Sequence, residues 1–106
     1  MKRFELGFKN HETHNELIYM NIGENTYTPD MLTDDTVALL TALSYVDEND
    51  MYVLETYENL SAMIGYETVI NGLNKLHELG HDLIPYYQLR RMIMNMYKSK
   101  YKGMMR

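Results

Sequence analysis

Residues Tyr57 to Gly80 read YENLSAMIGYETVINGLNKLHELG, and their apolar spacing predicts two short helices separated by Gly65-Tyr66. The first helix places Leu60, Met63 and Ile64 on one stripe, and the second places Val69, Leu73 and Leu76 on another. Side chains three and four positions apart share a helical face, so each stripe demands an apolar cover. Two helices meeting across a glycine turn form a helix-turn-helix, and the rest of the chain is expected to support it.

Working outward, Arg3-Phe-Glu-Leu-Gly-Phe-Lys9 alternates with Phe4, Leu6 and Phe8 on one side, the period of a half-buried strand. Asn10 to Glu16 is polar and turn-like, and Leu17-Ile-Tyr-Met-Asn-Ile22 alternates again through Ile18, Met20 and Ile22. The two runs predict an antiparallel hairpin with a long loop, ended by Gly23-Glu24-Asn25. After Pro29, Thr33 suits a helix N-cap and Asp34 and Asp35 suit the positive end of the helix dipole. Val37, Leu39, Leu40, Leu43 and Val46 then make a central buried helix, stopped by Asp47-Glu-Asn-Asp50. Met51-Tyr-Val-Leu54 is expected as a short strand, with Thr56 capping the next helix. Beyond Gly80, Pro85 suits a first helical turn. Leu89, Met92, Ile93, Met96 and Tyr97 form a stripe on a final helix that should run to about Lys100 and fray through Gly103.

The expected fold is therefore α+β, with an amino-terminal β-hairpin and a four-helix body ending in a basic amphipathic helix. At 106 residues it makes one domain, able to bury about 65% of its unfolded surface. Its parts are a hairpin over 1–28, a helix-turn-helix core over 29–84 and the basic helix over 85–106. Apolar residues form 45% of the chain, enough for a core. No run is long enough for a membrane span, and no signal-peptide core is present, so a cytoplasmic protein is expected. The absence of cysteine removes disulfides and thiolate chemistry. Ten Met and ten Tyr, with many Asn, suggest an AT-rich coding genome such as that of a phage or mobile element.

Charge divides the chain. Residues 1–84 hold all fifteen acids against Lys2, Arg3, Lys9 and Lys75, a net −11. Residues 85–106 hold Arg90, Arg91, Lys98, Lys100, Lys102 and Arg106 with no acid, a net +6. Such asymmetry implies a partner or mutual neutralisation.

The order strand, helix, short strand, helix, turn, helix resembles a winged helix-turn-helix. Leu60-Ser61-x-x-Ile64-Gly65 and Thr68-Val69-x-x-x-Leu73-x-x-Leu76-x-x-x-Gly80 are similar to the paired-helix patterns of plasmid and phage replication-initiator amino-terminal domains. The likeness spans about Leu32 to Gly80. It implies a recognition helix presenting Glu67, Thr68, Ile70, Asn71, Asn74 and Lys75 to a groove. Asn reads adenine edges and Lys reaches guanine or phosphate.

His77-Glu-Leu-Gly-His81 matches HExxH, whose histidines share one face of a continuous helix and bind zinc. Catalytic zinc needs a third protein ligand, generally downstream, and no His or Glu follows His81. His11-x-x-His14 lies far away in sequence. A zinc peptidase with His77 and His81 as ligands is therefore only the third reading, and the pair is read first as solvated surface histidines, with no metal, cofactor or catalytic residue expected. Tyr86, Tyr87, Tyr97 and Tyr101 interleave with basic residues, a pattern that can serve stacking on single strands but more often serves packing on the domain, the reading taken here.

Affinity for DNA comes mainly from cations that release counterions at phosphates, and a body of −11 opposes it. The reading that charge favours is a non-enzymatic inhibitor or modulator of a host nucleic-acid-handling protein, of the anti-CRISPR or polymerase-inhibitor kind. Its acidic surface would be Asp34, Asp35, Asp47, Glu48, Asp50, Glu55 and Glu58, steering it to a basic channel in place of nucleic acid. The same acids also serve simply to cap helices and keep a domain soluble. The alternative is a winged-helix regulator of transcription or replication that contacts DNA through Thr68, Asn71, Asn74, Lys75, Arg90, Arg91 and Lys98. Either form admits a homodimer through the carboxyl-terminal helix.

Overall fold

The structure, a computed structural model, describes residues 4–104, with side chains through Ser99. Strands β1 (Phe4–Asn10), β2 (Asn15–Ile22) and β3 (Asn25–Tyr27) form an antiparallel sheet in the order β1-β2-β3. Helices α1 (Asp34–Leu43), α2 (Leu54–Ile64), α3 (Tyr66–Glu78) and α4 (Tyr86–Met104) follow, giving the α+β class that the sequence predicts. No described helix is long and apolar enough to cross a membrane.

The hairpin forms with a loop of only four residues, because pairing continues out to Asn10 and Asn15. Its alternation is not the expected one. Gly7 faces Tyr19 while the next residue, Phe8, faces Leu17, so Ile18 is an extra residue bulged out of β2. A bulge inverts the side-chain phase beyond it. Leu17 is consequently buried together with Met20 and Ile22, and Ile18 is 48% exposed. Tyr19 lies over Gly7, where an added Cβ would come within 2.0 Å of its ring. The third strand was not expected: Gly23, in the left-handed region at φ +61°, turns the chain with Glu24 so that Asn25 pairs with Ile22.

Thr33 caps α1 as predicted, its Oγ1 accepting from the Thr36 amide at 3.1 Å. Leu39, Leu40 and Leu43 are fully buried. The expected strand over Met51–Leu54 is absent. A short 3-10 helix spans Glu48–Tyr52, and α2 begins at Leu54 with Val53 as its N-cap. Thr56 is thus inside α2 rather than capping it, and its amide donates back to Val53 O. Propensity favoured β at Tyr52-Val53, but the segment closes into the 3-10 helix, with the Val53 amide on Asp50 O at 3.2 Å. Gly65 alone, at φ +96°, separates α2 from α3; Tyr66 already belongs to α3. Tyr57 and Leu60 form the buried stripe of α2, whereas Met63, assigned to that stripe from spacing, is 77% exposed.

Helix α3 ends in a Schellman motif. The Gly80 amide bonds His77 O at 3.0 Å, the His81 amide bonds Leu76 O at 2.9 Å, and Gly80 takes φ +86°. Leu83 and Ile84 then enter the core, and α4 adds Leu89 and Met92. Tyr97, expected on that stripe, is 49% exposed. One hydrophobic cluster joins Phe8, Leu17, Met20 and Ile22 of the sheet to residues of all four helices.

A candidate partner-binding cleft on the second helix

Helix α1 gives way to a tight connection in which the Tyr45 and Val46 amides bond back to Ala42 O and Leu43 O. The 3-10 helix follows, with the Asp50 amide on Asp47 O at 2.9 Å. Beside this connection, α2 presents Thr56, Asn59, Leu60 and Met63, positions that share one face by their spacing of three and four. Between them lies an open cleft of about 390 Å³ whose walls include Tyr45, Val46, Asp47 and Asp50. Tyr45 is 66% exposed, and Tyr52 and Val53 nearby are also exposed. The cleft thus sets exposed aromatic and thioether side chains beside carboxylates.

Tyr45 is held in place before any partner arrives. Its hydroxyl donates to Thr13 O at 2.7 Å, tying the hairpin loop to the end of α1. Its ring stacks on His14 at 4.5 Å between centroids, and His14 stacks on Phe8 at 5.1 Å. His14 Nδ1 lies 2.8 Å from Ser44 Oγ, whose hydroxyl donates to Thr41 O at 2.5 Å. Since the single hydroxyl hydrogen is directed to that carbonyl, the bond directions assign Nδ1–H of His14 as the donor to Ser44. The pair therefore positions a ring; it does not set up the imidazole to deprotonate the serine.

The acids assigned from sequence do not form one patch. Asp47 and Asp50 line the cleft, with Glu48 and Glu55 exposed on the same connection and helix start. Glu58 is half-buried. Asp34 and Asp35 sit at the other end of α1, about 15 Å away along a ten-residue helix. Asp35 also accepts from Asn71 Nδ2 at 2.8 Å. Asn71, assigned to read bases, is thus engaged within the fold.

The other residues assigned to the recognition face fall into different environments. Ile70 is buried, because α3 is packed on both α1 and α4 and its apolar arc is wider than three residues suggested. Glu67 and Thr68 line a separate cleft of about 440 Å³ with Met96 and Ser99 of α4. Lys75 lies 3.5 Å from Glu78, while Asn74 is exposed. Arg90, Arg91 and Lys98 are exposed on α4. Among the described residues no strand follows α3.

The histidines of HExxH are divided by the Schellman turn. His77 stays on α3 with Nδ1 2.6 Å from Asp82, whereas His81 leaves the helix and is buried against Phe4, rings 4.9 Å apart and nearly parallel. His81 is thus a core residue and not a solvated one, since a ring stacked on Phe4 removes the apolar faces of both from water. Among the described residues no three His, Cys, Asp or Glu are grouped to hold a metal. The sequence did not reveal Tyr45 and Met63 as exposed walls of the cleft, nor His14 as the support of Tyr45. Helical spacing assigns a methionine to a stripe but carries no signal that the stripe stops short of it.

No family model, curated protein or solved structure matches this chain.

Proposed function

We propose that this chain is a small non-enzymatic binding protein that inhibits or modulates a nucleic-acid-handling protein, of the kind phages and mobile elements encode. One observation supports this most. Asp47, Glu48 and Asp50 make no ion pair among the described residues, and Asp47 and Asp50 line a cleft where Tyr45 and Met63 stand exposed, with Glu48 exposed on the same connection. Unpaired carboxylates steer the molecule toward a cationic nucleic-acid channel. Tyr45, rigid before contact, and Met63, adaptable, supply anchors that charge alone would lack.

The test replaces Asp47, Glu48 and Asp50 by Asn, Gln and Asn. On a column of the wild-type protein, a nucleic-acid-binding protein from a low-GC bacterial host should be retained, and retention should fall at least tenfold with the triple variant. Retention that the variant leaves unchanged would remove the acids from the contact. Fluorescence anisotropy with a random-sequence DNA duplex supplies the contrast. The proposal expects no binding at low salt; binding that weakens steeply with salt replaces it with the DNA-binding regulator.

A further inference from the structure

Helix α4 carries two faces. Leu89 and Met92 are buried, with Ile93 and Met96 packed beside them against the core. The opposite face holds Arg90, Arg91 and Lys98 around Met94 and Tyr97, which are 54% and 49% exposed. By the 100° step of a helix these five residues share one side. None of the three cations makes an ion pair among the described residues. The cleft on α2 is the reverse arrangement: apolar Tyr45 and Met63 set among unpaired carboxylates. One chain thus bears two unsatisfied surfaces of opposite sign, each with apolar side chains at its centre.

We propose that two copies of this chain form a two-fold dimer in which α4 of each copy seats its cationic face in the Tyr45–Met63 cleft of the other. A helix of 19 residues is about 28 Å long, comparable with the shorter dimensions of the molecule, 27 and 26 Å. Charge complementarity selects the occupant, since the acidic body and the basic helix carry −11 and +6 in sequence. A two-fold arrangement makes the contact twice, satisfying both surfaces of both copies and leaving none to propagate a filament. Because the contact uses the cleft assigned above to a basic partner, dimer and partner complex exclude one another. That consequence alone rests on the earlier reading; the dimer itself needs only this chain.

Charge exchange tests it on the full chain. One variant carries Asp47→Lys and Asp50→Lys; the other carries Arg90→Glu, Arg91→Glu and Lys98→Glu. Sedimentation equilibrium of the wild type should show a dimer at low salt whose dissociation constant rises with salt. Each variant alone meets like charge at both contacts and should be a monomer, weakened at least tenfold. Their equimolar mixture pairs opposite charges at both contacts and should regain the dimer. Every substituted side chain is exposed, and matching far-UV circular dichroism confirms the fold; Asp47→Asn with Asp50→Asn gives a milder variant that should weaken the dimer without repulsion. A wild type that stays monomeric at low salt overturns the proposal. So does a dimer that both variants leave intact, or a mixture that stays monomeric.

Discussion

Gly72 of α3 lies so close to Leu39 of α1 that a Cβ on the glycine would stand 2.7 Å from Leu39 Cδ2 and 3.0 Å from Leu39 Cβ. The Asp35 carbonyl oxygen is 3.4 Å from the same point. The two helices cross at this position, and the sheet and α2 close around them. The approach accounts for a glycine in mid-helix, where it costs up to about 1 kcal/mol relative to alanine.

Gly72→Ala is therefore expected to destabilise the protein by about 1 to 3 kcal/mol despite its better helix propensity. Leu39 Cβ is fixed to its own helix and cannot swing aside, so α1 and α3 must part. Urea denaturation monitored by circular dichroism reads this as a lower midpoint at unchanged slope. A stabilised variant would show that the crossing relaxes at no cost.

Tyr57 is fully buried, its hydroxyl donating to Met51 O. Burial, and secondarily the nearby Tyr52 phenol, push its ionisation well above the ordinary tyrosine range. Unfolded, the phenol ionises near pH 10, so above that pH the unfolded state releases a proton that the folded state retains. The stabilisation is present in full below about pH 10 and is lost as pH rises beyond it, by up to about 1.4 kcal/mol per pH unit. Tyr57→Phe should cost about 1 kcal/mol at neutral pH and remove that slope. Urea midpoints at a series of pH values on either side of 10 check both parts.

The bulge at Ile18 separates two neighbouring residues that composition treats alike. Leu17→Ala should cost about 2 to 4 kcal/mol, because it empties a core position 5% exposed. Ile18→Thr should change stability by less than about 0.5 kcal/mol. Equal losses from the two would contradict the register.

Thr33→Ala should cost about 1 to 2 kcal/mol. It removes the α1 cap and also the hydroxyl 2.6 Å from Thr36 Oγ1, and Thr36 is fully buried. Thermal melts followed by circular dichroism check this, and Thr33→Ser, which keeps the oxygen, should recover most of the loss.

Much of the fold is legible along the chain because its signals are local. The Thr33 cap, the leucines of α1, the break at Gly65 and the stop at Gly80 act over one helical turn, where side-chain spacing and backbone freedom are properties of the residues themselves. Tertiary structure decided what depends on a neighbour. Whether Ile18 or Leu17 faced the core was set by a bulge opposite Gly7, and Tyr52-Val53 entered the end of a 3-10 helix and the cap of α2 against their β propensity. His81 was drawn inward by Phe4, from the far end of the sequence. The cleft followed the same rule: its acids were visible as a run, but Asp34 and Asp35 left it with the other end of α1. Tyr45 and Met63 joined it only because the core closed before reaching them. Local sequence marks helix caps and glycine stops such as Thr33, Gly65 and Gly80; burial is a contest among distant side chains for limited interior, and only the assembled molecule resolves it.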